Sequence, residues 1–309
     1  MEQRVILHSD FPALIDNTAR EAFTCPEKFH RQVIQKLAPR AQSTDLHFGG
    51  AFALGLETLR RDFYEKQKSQ EEALAHAVHE ATIYFGDFEP APGHIKTYDR
   101  LVQALYAYVD RHPLASDYVQ PIEISPGRRA IEFTFAIPIP GTKHPQTGDP
   151  ILYGGRFDMI GSYQKTRWGL DDKTTSRLGH QWNNSWNLSS QLTGYVWAAA
   201  ESGSPLAGMI MRGQSILTKG SEFAEAIEYR PQWQVSRWLK QLTKDVDRMV
   251  ESWSRAEYDK NLGPMCNLYS GCPFKRLCLS QNPQPWIEIE YKNHYWNPLN
   301  KNPEEKENE

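Results

Sequence analysis

Gly154-Gly155-Arg156-Phe157-Asp158-Met159-Ile160-Gly161 is followed, after a short polar stretch, by Gly169-Leu170-Asp171-Asp172-Lys173-Thr174-Thr175. Apolar residues alternate with polar ones in this region, and the break at 164–167 is polar. The pattern predicts a hairpin of strands 151–163 and 168–175 with Gln164-Lys165-Thr166-Arg167 at its tip. Side chains on a strand point to alternate faces, so Asp171 and Lys173 share one face and Asp172 takes the other. Asp158 sits across from them on the neighbouring strand. Two carboxylates placed this way can bind a hard divalent cation such as Mg²⁺ or Mn²⁺, to which Asp172 contributes at most its backbone carbonyl. A lysine beside the cation can orient or deprotonate a nucleophile or stabilise charge growing on a phosphate. The competing reading is a solvated hairpin whose charges pair across strands for about 0.2–1 kcal/mol each.

Working outward, residues 186–201 have helical spacing, with Gln191 and Tyr195 four apart on one face. Strands are expected at 209–217 and 225–229, and a long amphipathic helix at 231–257. Upstream, alternating apolar residues over 119–139 predict another hairpin turning at Ser125-Pro126-Gly127. Residues 45–68, 70–86 and 96–112 read as helices. These elements imply one α/β domain over 1–282, a mixed sheet flanked by helices. It comprises a helical part at 10–118, a core at 119–230 and a C-terminal part at 231–282. Residues 283–309, rich in Pro and charge, are expected as an extended or disordered tail.

The 309 residues carry a formal net charge of -3, which excludes an overall basic field, so a nucleic-acid site must be a local patch. Mean hydropathy is -0.63, and no run approaches the ~20 apolar residues of a spanning helix. Without an apolar leader pattern at Met1–Val5, the expected compartment is the cytoplasm. Thiols stay reduced there, which bears on the four cysteines Cys25, Cys266, Cys272 and Cys278. Four thiols suffice for one metal or cluster site. Among the positive residues near the hairpin, Arg156 and Arg177 are candidates for phosphate contact. Trp182, Trp186 and Trp197 are candidates for stacking on unpaired bases, with core packing favoured for Trp197.

G-R-F-D followed by D-D-K-T-T resembles the core of the PD-(D/E)XK nucleases, in their RecB-like branch. The resemblance implies metal ligation by Asp158 and Asp171 and a catalytic role for Lys173. Gln191-Leu192-Thr193-Gly194-Tyr195 is similar to the Q-x-x-x-Y helix of that branch, where such a pair helps position the DNA strand. One cysteine before the core and three after it resemble the iron–sulfur nucleases, AddB-type helicase–nuclease subunits and CRISPR-associated adaptation exonucleases among them. A [4Fe–4S] cluster on Cys25, Cys266, Cys272 and Cys278 is then implied. The C-x5-C-x5-C spacing departs from the commoner form, and Zn²⁺ stays open as the alternative.

The branch often carries a metal-binding His on an early helix. Ala53 stands where that residue is expected, so either the site does without that ligand or His47 or Glu57 substitutes for it. Glu123 is the candidate for an upstream acidic ligand, and Glu132 competes with it. The implied activity is metal-dependent DNA hydrolysis, exonucleolytic on single-stranded ends, with a helicase or recombination partner. A catalytically degenerate DNA-end or protein-binding module and a cluster-based redox-sensing DNA binder are the alternatives.

Overall fold

The computed structural model describes residues 5–267 and 271–299. The chain divides into two compact units. One comprises residues 42–133 and 156–235, and the other 1–41, 134–155 and 236–309.

The first of these holds three helices, α1 (Thr44–Tyr64), α2 (Gln70–Phe85) and α3 (Tyr98–Arg111). Local chemistry sets their starts. Ser43 accepts from the Leu46 amide, and Ser69 with Glu72 closes a reciprocal capping box. The apolar faces of the three helices merge through Phe48, Phe52, Leu56, Leu59, Ala77, Leu101 and Leu105. Each large side chain buried this way contributes roughly 1.5–3 kcal/mol.

The sheet is built from β1 (Ile131–Pro138), β2 (Leu152–Tyr163), β3 (Thr166–Thr175), β4 (Gly208–Ile216) and β5 (Ser221–Tyr229). β2 and β3 are antiparallel from Tyr163–Thr166 down to Met159–Leu170. Their loop is only Gln164-Lys165, both with positive φ (49° and 62°), as a two-residue hairpin turn requires. The sequence suggested a wider tip because neither residue is the Asn or Gly that usually marks such a turn. From β3 the chain crosses through α4 (Ser190–Glu201) and returns as β4, parallel to β3. A parallel neighbour cannot be reached by a tight turn, so the crossover helix is obligatory. β4 is buried along its whole length, and β5 covers its far edge in antiparallel register. The expected turn at Ser125-Pro126-Gly127 is present and closes a short ribbon of Glu123–Ser125 with Arg128–Arg129, while the flanking parts of 119–139, Gln120–Pro121 and β1, pair with β2 and not with each other.

The other unit contains the greater part of α5 (Gln232–Arg255), whose Leu242, Val246 and Met249 are fully buried. Leu14–Ile15 pairs in parallel with Leu152–Tyr153. Residues 283–299, expected as an extended tail, contain a helix (Gln284–Glu290) and a strand (Tyr291–Asn293) that pairs with Leu37–Pro39. Ile287 and Tyr291 close a small core with Leu37, Phe274 and Leu277, and this burial offsets the polar composition. Residues 300–309 of the expected tail lie outside the described residues. No helix of the described residues is long and apolar enough to cross a membrane.

Candidate active site

The ladder between β2 and β3 ends at Met159–Leu170. One residue further, a side chain replaces it: Oδ2 of Asp158 accepts from the Asp172 amide at 2.9 Å. The two strands part there, and the charged groups gather at the opening. Lys173 Nζ is in contact with Oδ1 of Asp171. The Asp171 side chain is 2% accessible and that of Lys173 39%, so the ammonium remains reachable from solvent.

Electrostatics follow from this crowding. Burial, then Asp158 and Asp172, push the Asp171 carboxyl up to about 7, against the opposing pull of Lys173. Burial alone would lower the Lys173 ammonium, but Asp171 and Asp158 outweigh it and hold the group above its ordinary value. Lys173 therefore stays charged, and Asp171 sits where proton and cation compete.

α4 lies against the Asp171 face. Ser189 caps it, accepting from the Leu192 amide at 3.4 Å. Nε2 of Gln191 donates to Oδ2 of Asp171 and to the Tyr195 hydroxyl, each at 3.3 Å. Burial and the neighbouring Asp171 push the Tyr195 phenol up to about 12, so it is a neutral hydrogen-bonding group. The four-residue spacing thus delivers both side chains to one place.

Asp172 faces the opposite side, as alternation requires. Its Oδ2 accepts from Nη2 of Arg60 at 2.5 Å and its Oδ1 from the Tyr108 hydroxyl at 2.7 Å. Arg60 comes from α1 and Tyr108 from α3. Arg212, in register with Asp172 on β4, reaches the same hydroxyl at 3.4 Å and forms a two-pronged pair with Asp117. This buried network stands behind the strand that carries Asp171 and Lys173. Sequence reading missed Arg60, Tyr108 and Arg212. Arg212, a charge directly after the apolar strand run Met209-Ile210-Met211, was the available signal.

The upstream acid is where expectation and structure differ. The Glu123 carboxylate accepts from the Gly127 amide and pairs with Arg129 at 3.7 Å on the outlying ribbon. Glu132, the competitor, is buried, pairs with Nε of Arg156 at 2.6 Å, and is pushed up to about 8 by burial and then by Asp158. Glu132 rather than Glu123 is the carboxylate that feels the site. Arg156 is accordingly engaged with Glu132, and Arg177 is exposed just beyond β3.

His47 is not brought to the acidic groups. Its Nε2 lies 3.0 Å from the carbonyl oxygen of Phe85, and its ring packs on Phe88 at 4.1 Å. α1 packs on the Asp172 face, so that turn of helix looks into the helical core. Glu57 is buried and pairs with Arg61 at 2.8 Å, and Ala53 is exposed.

Among the described residues, no group of three or more His, Cys, Asp or Glu is gathered closely enough to hold a metal ion. The donor set here still fits a hard cation. Mg²⁺ keeps several waters and is commonly held by one or two carboxylates, and Asp158 and Asp171 supply those.

In the other unit, Cys25 precedes a short helix (Pro26–Phe29) and Cys278 lies on another (Lys275–Leu279). Burial pushes the Cys278 thiol up, with further upward contributions from Glu27, Cys272 and Cys25. The Cys272 amide donates to the Cys266 carbonyl at 3.0 Å. The four half-buried cysteines form no disulfide. Cys25, early in the chain, thus lies within electrostatic reach of Cys278. Residues 268–270, inside the cysteine run, lie outside the described residues.

Fold and site define a class: a mixed α/β core with two carboxylates and a lysine at the opening of a hairpin, suited to phosphodiester chemistry. The sequence matches the PD-(D/E)XK nuclease superfamily over residues 18–279, and the chain belongs to that superfamily. No curated protein matches it. Among solved structures it is similar to one from Eubacterium rectale named "Putative exonuclease", with 9% identity, 82% of this chain and 86% of that chain covered, and a TM-score of 0.52. That likeness is one of fold. The structure named SSO0001 matches with 14% identity over 74% of this chain and 86% of that chain, at a TM-score of 0.31.

Proposed function

We propose that the protein is a divalent-metal-dependent deoxyribonuclease of the RecB-like branch, acting as an exonuclease on single-stranded DNA ends. The observation that carries this reading is the contact of Lys173 with the buried Asp171 beside Asp158, with Gln191 bonded to Asp171 from the facing helix. Asp158 and Asp171 would hold Mg²⁺ or Mn²⁺, with the Asp172 carbonyl adjacent. The cation would supply charge neutralisation at the phosphate and a more acidic water. Lys173, accessible and in contact with Asp171, would orient the water and stabilise negative charge on the phosphate. Gln191 fixes the Asp171 carboxylate and, with Tyr195, offers hydrogen bonds to the strand. Arg156 and Arg177 are the phosphate contacts of this reading, and His47 and Glu123 have no part in the cation site. Exonucleolytic action is supported by the name given to the Eubacterium rectale protein.

Cys25, Cys266, Cys272 and Cys278 would hold a structural [4Fe–4S] cluster, with Zn²⁺ as the alternative. The presence of Cys25 and Cys272 among the groups acting on the Cys278 thiol supports a shared site. The expected setting is cytoplasmic, beside a helicase or recombination partner. A silent DNA-end binder is the second reading, favoured by the exposed Ala53 and the diverted His47.

The test is cleavage of end-labelled single- and double-stranded DNA with Mn²⁺ by the wild type and Asp171→Ala. Loss of cleavage in the variant alone supports the enzyme. Equal cleavage by both, or binding without cleavage under any metal, favours the second reading.

A further inference from the structure

Gly213 lies on β4 directly beside Lys173 of β3, as its partner in the parallel register. Partners in such a ladder project to the same face, so a side chain at 213 would stand next to the lysine, about 4.8 Å away across the sheet. None is there, and an indole occupies the space. A Cβ built on Gly213 would come within 2.4 Å of Cζ2 and 2.8 Å of Cη2 of Trp182, and within 2.8 Å of Leu178. The missing side chain is what lets Trp182 lie against the strand at this point. Any other residue at 213 would push the ring off the sheet, because the close atoms belong to a rigid indole.

The ring is held in place. Trp186 meets it edge-on, with centroids 5.5 Å apart and planes at 77°, a favourable aromatic geometry. Trp186 is anchored in turn, since Nη2 of the buried Arg230 donates to its carbonyl at 2.5 Å. Ser185 ties the same turn by donating to the Trp182 carbonyl at 2.6 Å. The Trp182 ring is only half-buried. Part of its surface therefore stays open, on the face of the sheet that carries Lys173.

We infer that Trp182 is the stacking platform for the base of an unpaired nucleotide at the scissile phosphate, and so a specificity-determining residue for single-stranded ends. This rests on the nuclease reading and deepens it. With the phosphate at Lys173, a base projecting along the sheet reaches the next strand over, and Trp182 is the aromatic surface there. A base locked in a duplex cannot turn its face to the ring without unpairing. Stacking on an aromatic side chain is tolerant of sequence, so the selection is for strandedness and not for base identity.

The test compares the wild type, Trp182→Ala and Trp182→Phe with Mn²⁺ on three fluorescein-labelled probes: a single-stranded oligonucleotide, the same strand with abasic sugars over its terminal residues, and a blunt duplex. The expected result for Trp182→Ala is a KM about tenfold higher on the intact single strand, the weight of one stacked base. Its kcat should stay close to wild type, KM on the abasic strand should be unchanged, and Trp182→Phe should recover most of the loss. Thermal melts show whether each variant is folded, and the phenylalanine variant keeps the test valid if the alanine one is not. An equal loss on intact and abasic strands, or no loss on either, overturns the platform while leaving the nuclease reading intact. A wild type that cleaves none of the three overturns both.

Discussion

Replacing Asp172 by Ala tests the network behind the catalytic strand. The Asp172 and Arg60 side chains are each only 4% accessible. Removing the carboxylate leaves the Arg60 guanidinium bonded to the Tyr108 hydroxyl at 2.8 Å, a neutral group whose phenol is pushed well up by burial. Arg212 cannot compensate, because it is itself a cation and is committed to Asp117 and Glu225. Asp158 still acts on Arg60, but breaking a buried ion pair costs about 3–5 kcal/mol, which corresponds to a fall in melting temperature on the order of 10 °C. Activity should fall as well at temperatures where the variant is folded, because the residue-172 amide orients the Asp158 carboxylate. The assay is thermal unfolding of Asp172→Ala, Arg60→Met and the double variant. Removing both charges together should recover much of the loss, with a coupling of about 2 kcal/mol or more. A single-variant loss below about 1 kcal/mol, or an additive cycle, would refute the reasoning.

Two further outcomes are expected. Asp171 titrates near 7 in the folded protein against an ordinary 3.8, so the fold retains a proton that the unfolded chain releases. This group therefore lowers stability as pH rises between those values. A divalent cation competes with the same proton, so the thermal stabilisation by Mn²⁺ should grow from pH 6 to pH 8, and equal stabilisation at both would contradict the assignment. Protein purified without oxygen should be brown and absorb broadly near roughly 400 nm, with Cys278→Ser colourless and less stable by up to about 4–5 kcal/mol, by analogy with a long crosslinked loop. A colourless wild type containing only zinc would remove the iron assignment.

What could be read from the sequence was what depends on neighbouring residues. The alternation that puts Asp171 and Lys173 together and turns Asp172 away has a period of two, so three adjacent residues suffice to see it. The meeting of Gln191 and Tyr195 needs only one helical turn. Glu123 and Glu132 look alike locally, each flanked by strand-forming apolar residues. Which of them feels Asp158 depends on how distant segments pair, and no local pattern encodes that. His47 was misplaced for a similar reason, since its direction depends on the face that α1 buries. The place of Trp182 beside Lys173 follows from the β3–β4 register and a glycine forty positions away. The helix at Gln284–Glu290 forms in polar surroundings because Ile287 and Tyr291 find a core supplied by other segments.

The proposed chemistry requires one hard cation shared by Asp158 and Asp171 within reach of Lys173. Crystals soaked in Mn²⁺ and measured at the manganese absorption edge locate the ion directly. The expected result is an anomalous peak between the two carboxylates, absent in Asp171→Asn. A peak elsewhere in the chain, or one that persists unchanged in the variant, would contradict it.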